Sequence, residues 1–407
     1  MKNFFGRLWI EATIAMSFLR EGRAQSLMIT VGVAVGVAVI IFITALVQGL
    51  QSNLIENTLG TQAHIRLLSP DEVNRVIPPK AGTVQLVQED KRPQRLRSIN
   101  NWQQVTTTLD QLPLLTAVSP TVSGPAFVRR GDALEAVALV GTDLERYQKI
   151  IPLEDYLISG ELRVGADDVL IGSELAKNLG VQVGSKLRIE TGQQNSAVVN
   201  IVGIFDLGVR ELDARYVYLD LKQAQSLLSL PGGVTVIDLT VADIFAAEDI
   251  AAQVGRLTSL QAESWIETNS QLMNALSAQS LSTNMIIVFV AISVAFGIAS
   301  VLSVSVVQRT REIGILRATG ATRQQILRIF LIQGAVFGLL GSMLGSVASY
   351  ALVWVFNTFG PGLFYIPVSA NLIMLAMLLA TLTGILAATI PSRRAAALDP
   401  VVAIRYV

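Results

Sequence analysis

Val307-Gln308-Arg309-Thr310-Arg311-Glu312-Ile313-Gly314-Ile315-Leu316-Arg317-Ala318-Thr319-Gly320-Ala321 is the stretch that decides how this chain is laid out. Long uncharged runs flank it. No charged residue falls between Thr268 and Gln308, and none between Ile329 and Ser392. Each arginine at a bilayer centre costs about 2.5–3.5 kcal/mol. Arg309, Arg311, Arg317 and Arg323 therefore hold a corner in water between two membrane spans.

Working outward, a third uncharged run covers Ala24–Ile55. A span needs roughly 20 mostly apolar residues. Ala24–Ile55 and Thr268–Gln308 each accommodate one span, and Ile329–Ser392 accommodates two, parted by the Gly/Pro turn signal Asn357-Thr358-Phe359-Gly360-Pro361-Gly362. The expected spans are residues 26–49, 281–307, 323–356 and 372–391, with an outer loop at 357–371. The chain has 407 residues, 51% hydrophobic and 15% charged. That charge content is low for a soluble domain and reads as a membrane protein with a sizeable soluble part. The predicted fold class is a membrane α-helical protein with four transmembrane helices and a large α+β extracytoplasmic domain, residues 50–280, between the first and second.

The neutral total hides an asymmetry. The flanks and the hairpin carry Lys2, Arg7, Arg20, Arg23, Arg309, Arg311, Arg317, Arg323, Arg328, Arg393, Arg394 and Arg405 against Glu11, Glu21, Glu312 and Asp399, a net +8. Leu50–Ser280 carries a net −8. The positive-inside rule, resting on the short basic flanks, places both termini and the corner at 308–322 in the cytoplasm. The first apolar run is too long for a signal peptide and lacks a cleavage site. Before it, Phe5, Leu8, Trp9, Ala12, Met16 and Leu19 recur at helical spacing, with Lys2, Arg7, Glu11 and Arg20 off the stripe. Residues 1–25 thus read as an amphipathic helix on the inner membrane surface, or as a polar-faced extension of the first span.

The exported segment alternates β-rich and helical stretches. Ala63–Leu68, Ala126–Val140, Asp168–Ile171, Lys186–Thr191, Ala197–Phe205 and Val234–Val241 read as strands. Ile99–Leu112, Ser173–Leu179, Leu221–Leu228 and Ala247–Leu257 read as helices. Ser69–Arg97 reads as a loop, and Gly160–Leu230 as a β-rich lobe of its own. Trp265 is expected to pack inside the domain.

No GxxxxGK[ST] loop is present, so an ATPase site is not expected in this chain. No carboxylate or histidine falls in a predicted span, where proton-coupled carriers place them. His64, the sole histidine, has no Cys or second His with which to complete a metal site. It reads as structural. Catalytic residues, a metal site and a nucleic-acid partner are not expected, and uphill work requires a partner's energy.

Gly32 and Gly36 form a GxxxG in the first span. Gly334, Gly338, Gly341 and Gly345 repeat it in the third, for packing within one bundle or across a dimer. Ser293, Ser300, Ser303 and Ser305 stud the second. In the corner, the second helix is expected to run on to Ala318, Gly320 to supply a left-handed turn, and Thr322 with Gln325 to form a capping box.

The string Arg309-Thr310-Arg311-Glu312-Ile313-Gly314-Ile315-Leu316-Arg317-Ala318-Thr319-Gly320-Ala321 with Gln325-Ile326 resembles the cytoplasmic corner of the MacB/FtsX/Lol superfamily (type VII) of ABC-transporter permeases. Pro391-Ser392-Arg393-Arg394-Ala395-Ala396-Ala397-Leu398-Asp399-Pro400-Val401-Val402-Ala403-Ile404-Arg405, in the tail at 392–407, resembles its closing segment. Gly32–Gly36, Ala63-His64-Ile65, and Trp265 with Asn269 and Leu276 are similar to the lipoprotein-releasing (LolC/LolE-like) permeases. Arg311-Glu312 is more similar to the macrolide-exporter permeases.

The resemblance implies an inner-membrane permease working as a dimer of copies or paralogues, each bound to a cytoplasmic ABC ATPase that supplies ATP and magnesium; the chain itself holds no cofactor. It implies that Arg309, Arg311, Glu312, Ile313, Gly314, Leu316, Arg317 and Gly320 dock in the ATPase and that force passes outward by mechanotransmission. Three uses follow. The first is extraction of a lipoprotein or lipid toward a periplasmic carrier, with lipid chains entering between the first and second spans. The second is a MacB-like efflux system with a membrane-fusion adaptor. The third is FtsX-like regulation of a cell-wall hydrolase, which the size of the exported domain disfavours.

Overall fold

The computed structural model describes residues 2–70, 96–192, 195–360 and 362–399. Most of the predicted loop Ser69–Arg97 lies outside them, as do Pro361, the end of the closing motif Pro400–Arg405, and the side chains of Lys2, Phe5, Arg7, Leu8 and Trp9. The chain divides into two compact units, Met1–Ile55 with Asn274–Val407, and Glu56–Met273.

Among the described residues, four helices are long and apolar enough to cross a membrane: Arg23–Leu59, Ser270–Gln308, Arg323–Phe359 and Ala370–Ala397. The first, of 37 residues, extends about 55 Å at 1.5 Å per residue, well beyond the roughly 30 Å hydrocarbon core. The third helix is the centre of the first unit. Half of its most apolar stretch is buried, against 11% of the second's.

Glycine sets the packing of the third helix. A Cβ on Gly334 would strike the Gly384 carbonyl oxygen, and one on Gly338 would sit 2.7 Å from the Ala380 carbonyl oxygen, so this edge lies against the fourth helix. A Cβ on Gly341 would come within 2.5 Å of Val33, and one on Gly345 within 2.5 Å of the Ala34 carbonyl oxygen, so the next edge lies against the first helix. These four glycines thus meet partners within the chain. At Gly36 a Cβ would meet the Val294 side chain at 2.5 Å, whereas Gly32 faces open space.

In the N-terminal helix Lys2–Glu21, Ala12 and Met16 of the predicted stripe are exposed, but Glu11, off that stripe, is only 2% exposed. It faces the bundle with Ala15, Phe18 and the stripe residue Leu19. The reason is a partner the pattern does not show. Arg328 on the third helix pairs with Glu11 at 3.2 Å, and Gln333 donates to the Ala15 carbonyl at 3.4 Å.

The loop between the third and fourth helices is pinned. Asn357 donates to the Ile366 carbonyl at 3.1 Å and accepts from the Ile366 N–H at 3.0 Å. Ile366 is fully buried in a cluster with Ala45 and Val353.

The second unit, in its described residues, is built on ten strands: β1 Ile65–Leu68, β2 Leu115–Arg130, β3 Ala133–Thr142, β4 Leu157–Gly160, β5 Asp168–Gly172, β6 Lys186–Thr191, β7 Ser196–Phe205, β8 Tyr216–Asp220, β9 Val236–Val241 and β10 Gln261–Ser264. The first half of β2 completes the antiparallel run β10-β1-β9-β2. Its second half pairs with both β3 and β6. From there the ladders run β3-β8-β5-β7 and return through β6. Six strands therefore close into a ring, which leaves no edge among them. The predicted separate lobe Gly160–Leu230 is corrected accordingly, because β2 and β3, earlier in the chain, supply a third of that ring. The single β stretch predicted at Ala126–Val140 is a hairpin turning at Gly131, whose φ of 58° suits a residue without a Cβ. Trp265 is buried and donates to the Ile244 carbonyl at 2.7 Å. The Val241 N–H donates to His64 Nδ1 at 3.1 Å, a structural role.

Candidate functional site

The second spanning helix does not continue to Ala318. It stops at Gln308, Arg309 leaves helical geometry with φ −103° and ψ 16°, and a separate helix spans Thr310–Ala318. Arg309 is held at the break by partners on the N-terminal helix. The Arg309 guanidinium donates to the Phe18 carbonyl at 2.7 Å and to Glu21 at 3.0 Å. It also sits 4.5 Å over the Phe18 ring, within cation–π range, and lies 3.4 Å from Glu312.

At its other end the short helix closes with a Schellman motif. The Ala321 N–H donates to the Leu316 carbonyl at 3.0 Å and the Gly320 N–H to the Arg317 carbonyl at 3.2 Å. Gly320 has φ 105°. The third helix then starts from a reciprocal capping box between Thr322 and Gln325, with both bonds present. Both turn devices stand where the residue pattern puts them.

The candidate docking residues divide by face. Ile313 and Gly314 are buried in the bundle, and Ile313 belongs to its apolar cluster. Leu316 is half-buried against that cluster. Arg317 donates to the Ala396 and Leu398 carbonyls at 2.8 and 3.1 Å. Arg309 has 11% of its side chain exposed. The outward face is Gln308, Arg311, Glu312, Ile315 and Gly320, and Ile315 is 48% exposed. Residues 308, 311, 312 and 315 share one helical face by spacing. Of the apolar residues that the sequence places in this corner, Ile313, Ile315 and Leu316, only Ile315 is on the exposed face; its i+4 relation to Arg311 puts it there, and Ile313 is two positions off that face.

A second feature of this unit lies between the first and second spanning helices. A groove of about 440 Å³ is lined by Met28, Gly32, Val35, Val39, Ser293 and Gly297, among others. Neither Gly32 nor Gly297 would bring a Cβ within 4 Å of another group. The two helices are tied on either side of it: Gln25 donates to the Val301 carbonyl at 3.2 Å, and Gln51 donates to Ser280 at 3.3 Å. The groove is apolar and can hold a hydrocarbon chain, not an ion.

In the second unit, Asp206 and Asp213 sit at the end of β7. Asp213 accepts from the Leu207 N–H at 2.8 Å, and Asp206 accepts from Ser173 at 3.2 Å. Burial, with Asp206 adjoining, pushes the Asp213 carboxyl up to about 6. Asp238, on β9, is raised by its burial, with Arg66 opposing that shift. These contacts fasten strands and a turn.

Comparison with known proteins agrees with this layout. Residues 26–257 match the MacB-like periplasmic core domain and residues 284–400 match the FtsX-like permease C-terminal family. The chain is similar to the lipoprotein-releasing system transmembrane protein LolC of Neisseria meningitidis serogroup B, 23% identical over 98% of this chain and 99% of that protein. It is similar to LolE of Haemophilus influenzae, 29% identical over 65% of this chain and 67% of that protein. It is also similar to the macrolide export ATP-binding/permease protein MacB of Shewanella, 26% identical over 96% of this chain and 59% of that protein.

Proposed function

The chain belongs to the MacB-like and FtsX-like permease family of multi-pass membrane proteins, and from that premise we propose that it is the membrane subunit of an ATP-driven transporter whose ATPase is a separate chain. The observation that carries the reading is the exposed face Arg311, Glu312 and Ile315 on a helix held at both ends. An apolar residue ringed by charge, on a stiff corner, is a docking surface. The chain matches a lipoprotein-releasing transmembrane protein along nearly its whole length. That similarity supports a permease supplied with energy from outside. The basic flanks support cytoplasmic termini.

The substrate is an acylated molecule, a lipoprotein or lipid, taken from the outer leaflet toward a periplasmic carrier. The groove beside Gly32 and Gly297 supports this, because it offers apolar walls and room for a chain. Closure of two ATPases on a pair of permeases narrows the groove and drives the substrate out, a rigid-body transition. An adaptor-linked efflux pump is the second reading, favoured by the similarity to the macrolide exporter.

The test is affinity purification of the tagged chain from its own membranes. An ABC ATPase is expected to accompany the wild-type chain and to be lost, at least tenfold, from Ile315→Asp. Extracted lipid or lipoprotein is expected in the wild-type complex. A wild-type complex without ATPase, or Ile315→Asp with a full complement, sinks the reading.

A further inference from the structure

Two of the corner's arginines point away from the exposed face, and each ends on the C-terminus of another helix. The N-terminal helix stops at Glu21 and the chain turns at Gly22. There the Phe18 carbonyl receives only a long 3.4 Å bond from the Gly22 N–H. Arg309 supplies the strong donor at 2.7 Å, and Ser26 donates to the neighbouring Leu19 carbonyl at 3.1 Å. Arg317, eight residues on, gives one guanidinium nitrogen to the Ala396 and Leu398 carbonyls where the fourth helix ends. Helix C-termini carry unpaired carbonyls and partial negative charge, which cations satisfy. The helix Thr310–Ala318 is thus held near each end by an arginine capping a different helix.

We propose that Arg309 and Arg317 are positioning residues: they join the corner helix to the N-terminal helix and to the fourth spanning helix, so that a push on the exposed face is delivered to the first spanning helix through Gly22 rather than absorbed by bending at Arg309. The proposal rests on the reading of the corner as the ATPase dock, and it assigns these two residues a role other than docking. Arg309 has the geometry for it. Its two terminal nitrogens reach Glu21 and the Phe18 carbonyl, while the plane covers the Phe18 ring. Lysine reproduces the charge but not the fork. Glu11 and Arg328 hold the same N-terminal helix to the third spanning helix, so that helix is fastened at two levels.

The chain has no cysteine, so the full-length chain can be spin-labelled at introduced cysteines without background of its own before the complex is assembled in lipid nanodiscs. One label pair at Ser17 and Gln308, both exposed, reports the Arg309 junction. A second at Met28 and Phe296 spans the groove. In Arg309→Gln the Ser17–Gln308 distance distribution is expected to broaden at least twofold. The nucleotide-driven change at Met28–Phe296 is expected to fall by half or more while ATPase stays bound. Arg309→Lys is expected between wild type and Arg309→Gln in both readouts, and Arg311→Gln is expected to leave the Ser17–Gln308 width unchanged. Glu21→Gln, which keeps the Phe18 contact, is expected to give the milder form should Arg309→Gln fold poorly. An unbroadened Ser17–Gln308 distribution in both Arg309 variants overturns the proposal, and so does an undiminished nucleotide response. If the wild-type complex itself shows no nucleotide response, the docking reading fails and the proposal, as a route for force, fails with it; the Ser17–Gln308 width still shows whether the junction is fastened.

Discussion

Gly334 and Gly384 face each other so closely that a Cβ on either would strike the other's carbonyl oxygen. The third and fourth helices meet backbone to backbone there, and helix association in a membrane rests on such packing. Alanine at either position is expected to destabilise the chain by about 1–3 kcal/mol, the range for overpacking a filled site. Gly32→Ala, where the space is open, is the control and is expected to be neutral. Thermal unfolding in one detergent compares them; equal melting points reject the assignment.

Glu11 and Arg328 form the next test. Arg328→Gln leaves a carboxylate that is 2% exposed without its countercharge. The expected cost is about 3 kcal/mol, the low end for breaking a buried pair, since Arg328 keeps some contact with solvent. Glu11→Gln with Arg328→Gln is expected to recover most of it. A double variant as unstable as Arg328→Gln alone contradicts the pairing.

Two groups in the α+β unit give opposing pH dependences. Burial holds the His64 imidazole below its ordinary 6.5, so the folded chain favours the neutral ring. Its contribution is complete above about pH 6.5 and is lost as pH falls, because the unfolded chain then binds the extra proton. Asp213 is raised from 3.8 to about 6. The folded chain holds that proton over this window, so stability from Asp213 grows as pH falls from about 6 toward 4. His64→Gln is expected to flatten the acid-side loss and Asp213→Asn to steepen it. Urea midpoints measured from pH 4 to pH 7.5 decide the signs.

The bidentate clamp of Asn357 on Ile366 predicts a local effect. Asn357→Leu leaves the Ile366 N–H and carbonyl without their partner, at about 1–3 kcal/mol for an unsatisfied buried group. Amide exchange at Ile366 is expected to accelerate at least tenfold, with little change at the Thr322 cap. Unchanged exchange at Ile366 contradicts the clamp.

What can be read from the residues alone is whatever is local. Thr322 with Gln325, the turn at Gly320, the helix Ser173–Leu179 and the four apolar spans depend on neighbours in sequence, and each is found where the pattern puts it. What escapes depends on partners far along the chain. Glu11 reads as a solvent-facing residue because Arg328 is over three hundred positions away. The bonds of Arg309 and Arg317 escape because the carbonyls they reach belong to Phe18, Ala396 and Leu398. Periodicity also cannot show that β6 returns to β2, since ring closure is a property of register between strands and not of any strand's composition.

β2 serves two sets of ladders at once, its early residues pairing with β9 and its later ones with β3 and β6. No single cut along it yields two finished pieces; each fragment would inherit a raw strand edge. Among the described residues, the shortest piece that keeps every strand whole runs from Ile65 to Ser264, and truncations that cut its strands will behave as aggregation-prone fragments rather than as smaller domains.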